Sequence, residues 1–153
     1  MGKPLKNPTG KSLVLSVSAG TGCYRHIQID ERETLLTLSS TILDSFEFFD
    51  DHMHSFFMNN IAWDEDAEFV CPGTELDGAR GYTNNVKLSD FRLGKGDKFL
   101  YIFDFGDDWR FRIKVLREVD GPTQSPIELR SKGRISQYGE EEEDDEQDNE
   151  DDE

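Results

Sequence analysis

A chain of 153 residues is long enough for one domain with one core. Its formal charge of −16 argues against a nucleic-acid binder, yet residues 140–153, EEEEDDEQDNEDDE, hold 12 of the 33 acids and leave residues 1–139 with 21 acids against 17 bases. No apolar run approaches the roughly 20 residues that cross a bilayer, and the start, MGKPLKNPTGKS, lacks the apolar core of a signal peptide.

Cys23 and Cys71 stand far apart without a CxxC pair, so reduced thiols and a cytoplasmic location are expected, with no disulfide framework, zinc site or cofactor. Residues 1–11, rich in Lys, Pro and Gly, read as a flexible lead-in; residues 12–139 as one domain; residues 140–153 as a disordered acidic tail with no apolar side chain to offset ordering entropy.

In chain order, LVLSVSA at 13–19 alternates with period two and predicts a strand. Gly20 to Gly22 allow a turn, and CYRHIQID, with Ile27 and Ile29 on one face, completes an antiparallel hairpin. From 34 to 47 the period changes: Leu35, Leu38, Ile42 and Phe46 recur at helical spacing behind Thr34, a plausible N-cap. Asp50 and Asp51 are expected to turn the chain into a strand over 52–58. Residues 59–86 predict loops divided by short strands near Ile61–Trp63 and Glu68–Cys71, and Val86 to Leu93 one helical turn.

YIFDFGDDWRFRIKV, 101–115, poses the central question, catalytic site or tightly specified hairpin. On its second strand Trp109, Phe111, Ile113 and Val115 face one way and Arg110, Arg112 and Lys114 the other. A two-residue Gly106-Asp107 turn pairs Asp104 with Trp109 and buries a carboxylate. A three-residue loop, Gly106 to Asp108, pairs Phe105 with Trp109 and Asp104 with Arg110, and is preferred because an unpartnered buried carboxylate costs several kcal/mol.

DFG at 104–106 lacks every companion motif of a kinase, and TGKS at 9–12 lacks the first glycine and the preceding strand of a phosphate-binding loop. His52 and His54, two apart beside Asp50 and Asp51, are metal-ligand candidates. Asp104, Asp107, Asp108, Trp109, Arg110 and Arg112 are binding candidates, although carboxylates at turns commonly accept from backbone N–H groups. Arg110, Arg112, Lys114 and Arg117, with Arg130, Lys132 and Arg134, form a potential phosphate-binding stripe.

YRHIQI, TLLTLSSTILDSFEF, DDHMHSFF, YIFDFGDDWRFRIKVL and SKGRISQYG together resemble the plasmid pRi ORF-three-like family, met also as insertion-element passengers, some labelled TnpR, for resolvase. The resemblance runs over roughly 12–139, and FDFGDDW is its most specific segment. It implies an α+β fold, mostly antiparallel, with one main helix packed on one face in the order β-β-α-β, loops, β-β, similar to a β-grasp, and a function largely unassigned. Members commonly carry histidine two residues after the tryptophan, where this chain has Phe111. Many end in PPEDxGG, where it has GRISQYG. No serine-recombinase setting or DNA-reading helix pair accompanies the resolvase label.

No reaction can be read from these residues. The leading expectation is a non-enzymatic binding or interaction module that holds a protein partner through its sheet or its 59–86 loops. A nucleic-acid-associated accessory protein of mobile elements and a small metal-dependent enzyme are the alternatives.

Overall fold

The computed structural model describes residues 10–138, so the acidic tail lies outside the described residues. Two strands, β1 (Lys11–Ser18) and β2 (Tyr24–Asp30), precede the helix α1 (Leu35–Ser45). Then come β3 (His54–Phe57), β4 (Glu68–Val70), β5 (Gly81–Tyr82), β6 (Lys98–Phe103), β7 (Trp109–Asp120) and β8 (Ile127–Lys132), with 3-10 turns at Glu65–Ala67 and Leu88–Phe91. All eight strands form one sheet in the order β5-β4-β3-β6-β7-β1-β2-β8, antiparallel except at β4-β5. The fold is α+β, with one helix and a mostly antiparallel sheet.

The helix begins where the sequence marks it. Thr34 accepts a hydrogen bond from the Thr37 N–H, satisfying one of the orphan donors of the first turn. It stops at Phe46 because Glu47 adopts φ +63, outside the helical region. Leu35, Leu38 and Ile42 then lie on the face of the sheet that carries Leu13, Leu15, Val17, Ile27, Ile29, Ile113 and Val115. The aromatics Phe46, Phe48, Phe56, Phe99, Tyr101, Phe103 and Phe111 fill one end of this layer, each contributing about 1.5–3 kcal/mol by burial. Phe111 is fully buried against Tyr101 and Phe46, so the position at which the resemblance led to an expectation of histidine is here part of the core.

The hairpin at Gly106 corrects the expected register. Phe103 faces Trp109, Tyr101 faces Phe111 and Ile102 faces Arg110, so the connection is the five residues 104–108 and Asp104 does not meet Arg110. Parity is preserved, because a shift by two leaves every side chain on its own face. The longer loop is closed by the Asp108 N–H donating to the Asp104 carbonyl (2.6 Å), with φ +64 at Asp104 and +56 at Asp108. Phe105 leaves the helix layer and joins a small second core of Phe57, Leu100, Ile102 and Ala62 on the opposite face.

A second correction concerns Ile61–Trp63, which form a turn and not a strand, with φ +65 at Asn60 and +66 at Trp63. The Trp63 ring sets its edge against Phe57 and Phe105, at 5.3 and 5.2 Å, and so covers the second core. The strand at Glu68–Val70 is present as expected, and the turn expected between Val86 and Leu93 occupies Leu88–Phe91.

Candidate functional site

Two regions bring chemically active side chains together. The first lies where the segment after α1 meets the turn after β6. Burial and the Met53 carbonyl, which accepts from the Asp104 N–H at 2.8 Å, hold Asp104 at this junction. Its Oδ2 lies 3.4 Å from His52 Nε2, and its Oδ1 accepts from the Asp107 N–H at 3.3 Å. Asp51 Oδ1 approaches the same His52 nitrogen at 3.5 Å, and the Tyr138 hydroxyl lies 3.2 Å from it.

That hydroxyl donates to Asp51 (2.6 Å), which pushes the phenol up to about 12 and draws the Asp51 carboxyl below its usual range. Gln137 anchors the same segment: its Oε1 accepts from the Phe49 N–H (2.7 Å), and its Nε2 donates to the Phe49 carbonyl and to Asp51. Both carboxylates thus converge on one imidazole nitrogen. Among the described residues no three His, Cys, Asp or Glu side chains are arranged to hold a metal ion.

His54 sits elsewhere, in the layer between helix and sheet, 2% exposed. Its Nε2 lies 3.0 Å from Thr83 Oγ1, its Nδ1 3.4 Å from Ser39 Oγ, and Ser39 in turn bonds the Tyr101 hydroxyl at 2.6 Å. Burial alone lowers this imidazole to about 4, so it is a neutral core group at pH 7. The two histidines of the HMH segment therefore occupy different environments.

Asp107 and Asp108 are exposed, and Asp108 grips Arg110 with both oxygens, at 2.9 and 3.1 Å. Trp109 packs edge-on against Phe48 at 5.1 Å. Its indole N–H is buried without a hydrogen-bond partner among the described residues.

The second region is the sheet face opposite the helix. Trp63 and its loop cover this face at β3 and β6, and Thr123 of the β7–β8 connection covers its far end, bonded to Ser12, Gln28 and Asp30. Across β7, β1, β2 and β8 the registers line up Arg112, Ser18, Tyr24 and Lys132 in one row, and Lys114, Ser16, His26 and Arg130 in the next. Lys98 extends the second row, directly opposite Lys114, and Arg117 lies one row further on. Lys98, Arg112, Lys114, Arg117, Arg130 and Lys132 are all exposed, and none forms an ion pair with a described residue.

Among the described residues of β1, β2, β7 and β8, Asp30 is the acid on this face. It lies at the far end, already held by Arg32 at 2.8 Å and by the Thr123 N–H. The Tyr24 and His26 rings stack with centroids 5.0 Å apart. Burial first, and then the charges of Arg130 and Arg117, keep His26 below the usual imidazole range.

Of the stripe expected from sequence, Arg112, Lys114, Arg117, Arg130 and Lys132 share this face, whereas Arg134 lines a cleft of about 680 Å³ beside the end of α1, with Arg25, Glu47 and Tyr138. Sequence reasoning missed Lys98, Tyr24 and His26 on the face, and Gln137 and Tyr138 in the cluster. The alternation of Tyr24, His26 and Gln28 in YRHIQID was a usable signal for the face. Nothing local links Tyr138 to His52.

The sequence matches the plasmid pRiA4b ORF-3-like protein family over residues 15–145. The chain belongs to this family. Its fold is similar to the crystal structure of a protein of unknown function from Methanosarcina mazei Go1, with 26% identity, a TM-score of 0.63, and 82% of this chain and 72% of that one covered. No curated protein matches. Among the described residues no helix is long and apolar enough to cross a membrane.

Proposed function

We propose that this member of the family is a non-enzymatic interaction module, and that its open sheet face holds an extended, anionic partner. One observation supports the reading above others: six exposed cations share one face, and none of them is ion-paired with a described residue. Like charges placed directly opposite, as Lys98 and Lys114 are, cost the sheet stability. A polyanion repays that cost, because each neutralised cation–phosphate pair releases a condensed counterion. The net negative charge of the whole chain does not oppose this, since 12 of its acids lie in residues 140–153.

The test is retention of inorganic polyphosphate across a salt series. It uses the full chain and a full-length variant whose 12 tail acids are replaced by their amides. Salt-sensitive binding, lost when Arg112, Lys114 and Arg130 are changed together to Gln, supports the reading. Its absence in both proteins, or its persistence in the triple variant, overturns it.

A further inference from the structure

The open face is not uniformly charged. Between the cations of β7 and the rings of β2 lies β1, which in these two rows presents the small, partly exposed Ser16 and Ser18. β7 and β2 both pair with β1, so the gap between them is two strand spacings, about 10 Å. The result is a shallow trough. Its floor is serine, one wall is Arg112 and Lys114, and the other is the Tyr24–His26 stack backed by Arg130 and Lys132.

Resting on the polyanion reading, we infer that the occupant of this trough is a single strand of nucleic acid, its phosphates along Arg112 and Lys114 and its bases stacked on Tyr24 and His26. A purely ionic partner needs the cations but has no use for two stacked rings among them. A duplex keeps its bases paired inside and presents phosphates on a convex surface, so the rings at the trough wall would meet nothing they can stack on. A single strand has both parts, a charged backbone on one side and exposed π-faces on the other, in a width that a trough of this size accepts. Burial, and then the charges of Arg130 and Arg117, disfavour the His26 cation, and its ring stacked on Tyr24 is what it presents to the trough. Small hydroxyl side chains on the floor leave room and offer hydrogen bonds to sugar or phosphate.

The experiment measures fluorescence anisotropy of oligothymidylate, of the same strand in a duplex, and of labelled polyphosphate, with the full chain and with the tail-amide variant. The single strand is expected to bind tightest, with log K falling against log salt at a slope of about −1.4 for Arg112 and Lys114 alone, steepening towards about −4 as the other four cations of the face take part. Tyr24→Leu is expected to weaken the single strand about tenfold and to leave polyphosphate unchanged, while Tyr24→Phe, which keeps the ring, retains binding. A thermal melt of each variant separates lost stacking from lost folding, and His26→Leu, with the same loss expected for the single strand and none for polyphosphate, carries the test if Tyr24→Leu unfolds. Equal affinity for single strand and polyphosphate, a stronger duplex, or indifference to Tyr24→Leu overturns this inference while the polyanion reading survives. Failure of all three probes removes both.

Discussion

His52 Nε2 lies 3.4 Å from the Oδ2 of Asp104, a residue held at φ +64 at the end of β6. The left-handed backbone is the costly part of this contact, and aspartate and asparagine tolerate it better than most residues. His52 is more than a third exposed, so the ion pair itself is screened and contributes little. Asp104→Asn is therefore expected to cost less than Asp104→Ala by about 1–2 kcal/mol in urea unfolding, since alanine loses both the backbone tolerance and the bond to the Asp107 N–H.

The two histidines of the HMH segment separate in the same assay. His54→Ala removes a buried ring bonded to Thr83 and Ser39 and is expected to cost about 2–4 kcal/mol, whereas His52→Ala, at the surface, stays within about 0.5 kcal/mol.

His54 also gives stability a pH dependence. Its folded-state value of about 4 lies below the ordinary 6.5, so between these values the unfolded chain binds a proton that the folded one refuses. Stability then falls as pH drops from 6.5 to 4, by at most about 3 kcal/mol. Unfolding free energies measured across this window should show the slope, and His54→Gln should flatten it.

Asp30 acts in a lower window. The Arg32 guanidinium, then the backbone N–H groups of Arg32 and Thr123, hold its carboxyl down at about 2 against an ordinary 3.8. Its contribution is complete above 3.8 and is lost as pH falls through about 2, so Asp30→Asn is expected to cost up to about 2 kcal/mol at neutral pH and nothing in strong acid. Acid titration of both proteins by circular dichroism checks this.

Gly133 carries the chain from β8 towards the His52 cluster at φ +78, and a Cβ there would collide with the Gly22 carbonyl and Cys23. Gly133→Ala is expected to destabilise by more than about 1 kcal/mol and to loosen Gln137 and Tyr138 from Phe49 and Asp51. Faster amide exchange at Phe49 is the specific readout.

Local patterns in the sequence determined much of this protein. The period-two runs of β1 and β7, the helical stripe from Leu35 to Ile42 and the cap at Thr34 depend on neighbours within a few residues, and each stands where the pattern placed it. Arg112, Lys114 and Phe111 were assigned to their faces for the same reason. Tertiary structure alone decided the rest. The hairpin loop lengthened because Phe105 found a second core that includes Phe57 and Ala62, partners distant in sequence whose packing outweighs a turn preference. The meeting of Tyr138 with His52, and of Arg130 with His26 and Lys114 in one row, follows from strand order. Strand order is set by which long-range pairings bury the most apolar surface, and no short segment of the chain records that sum.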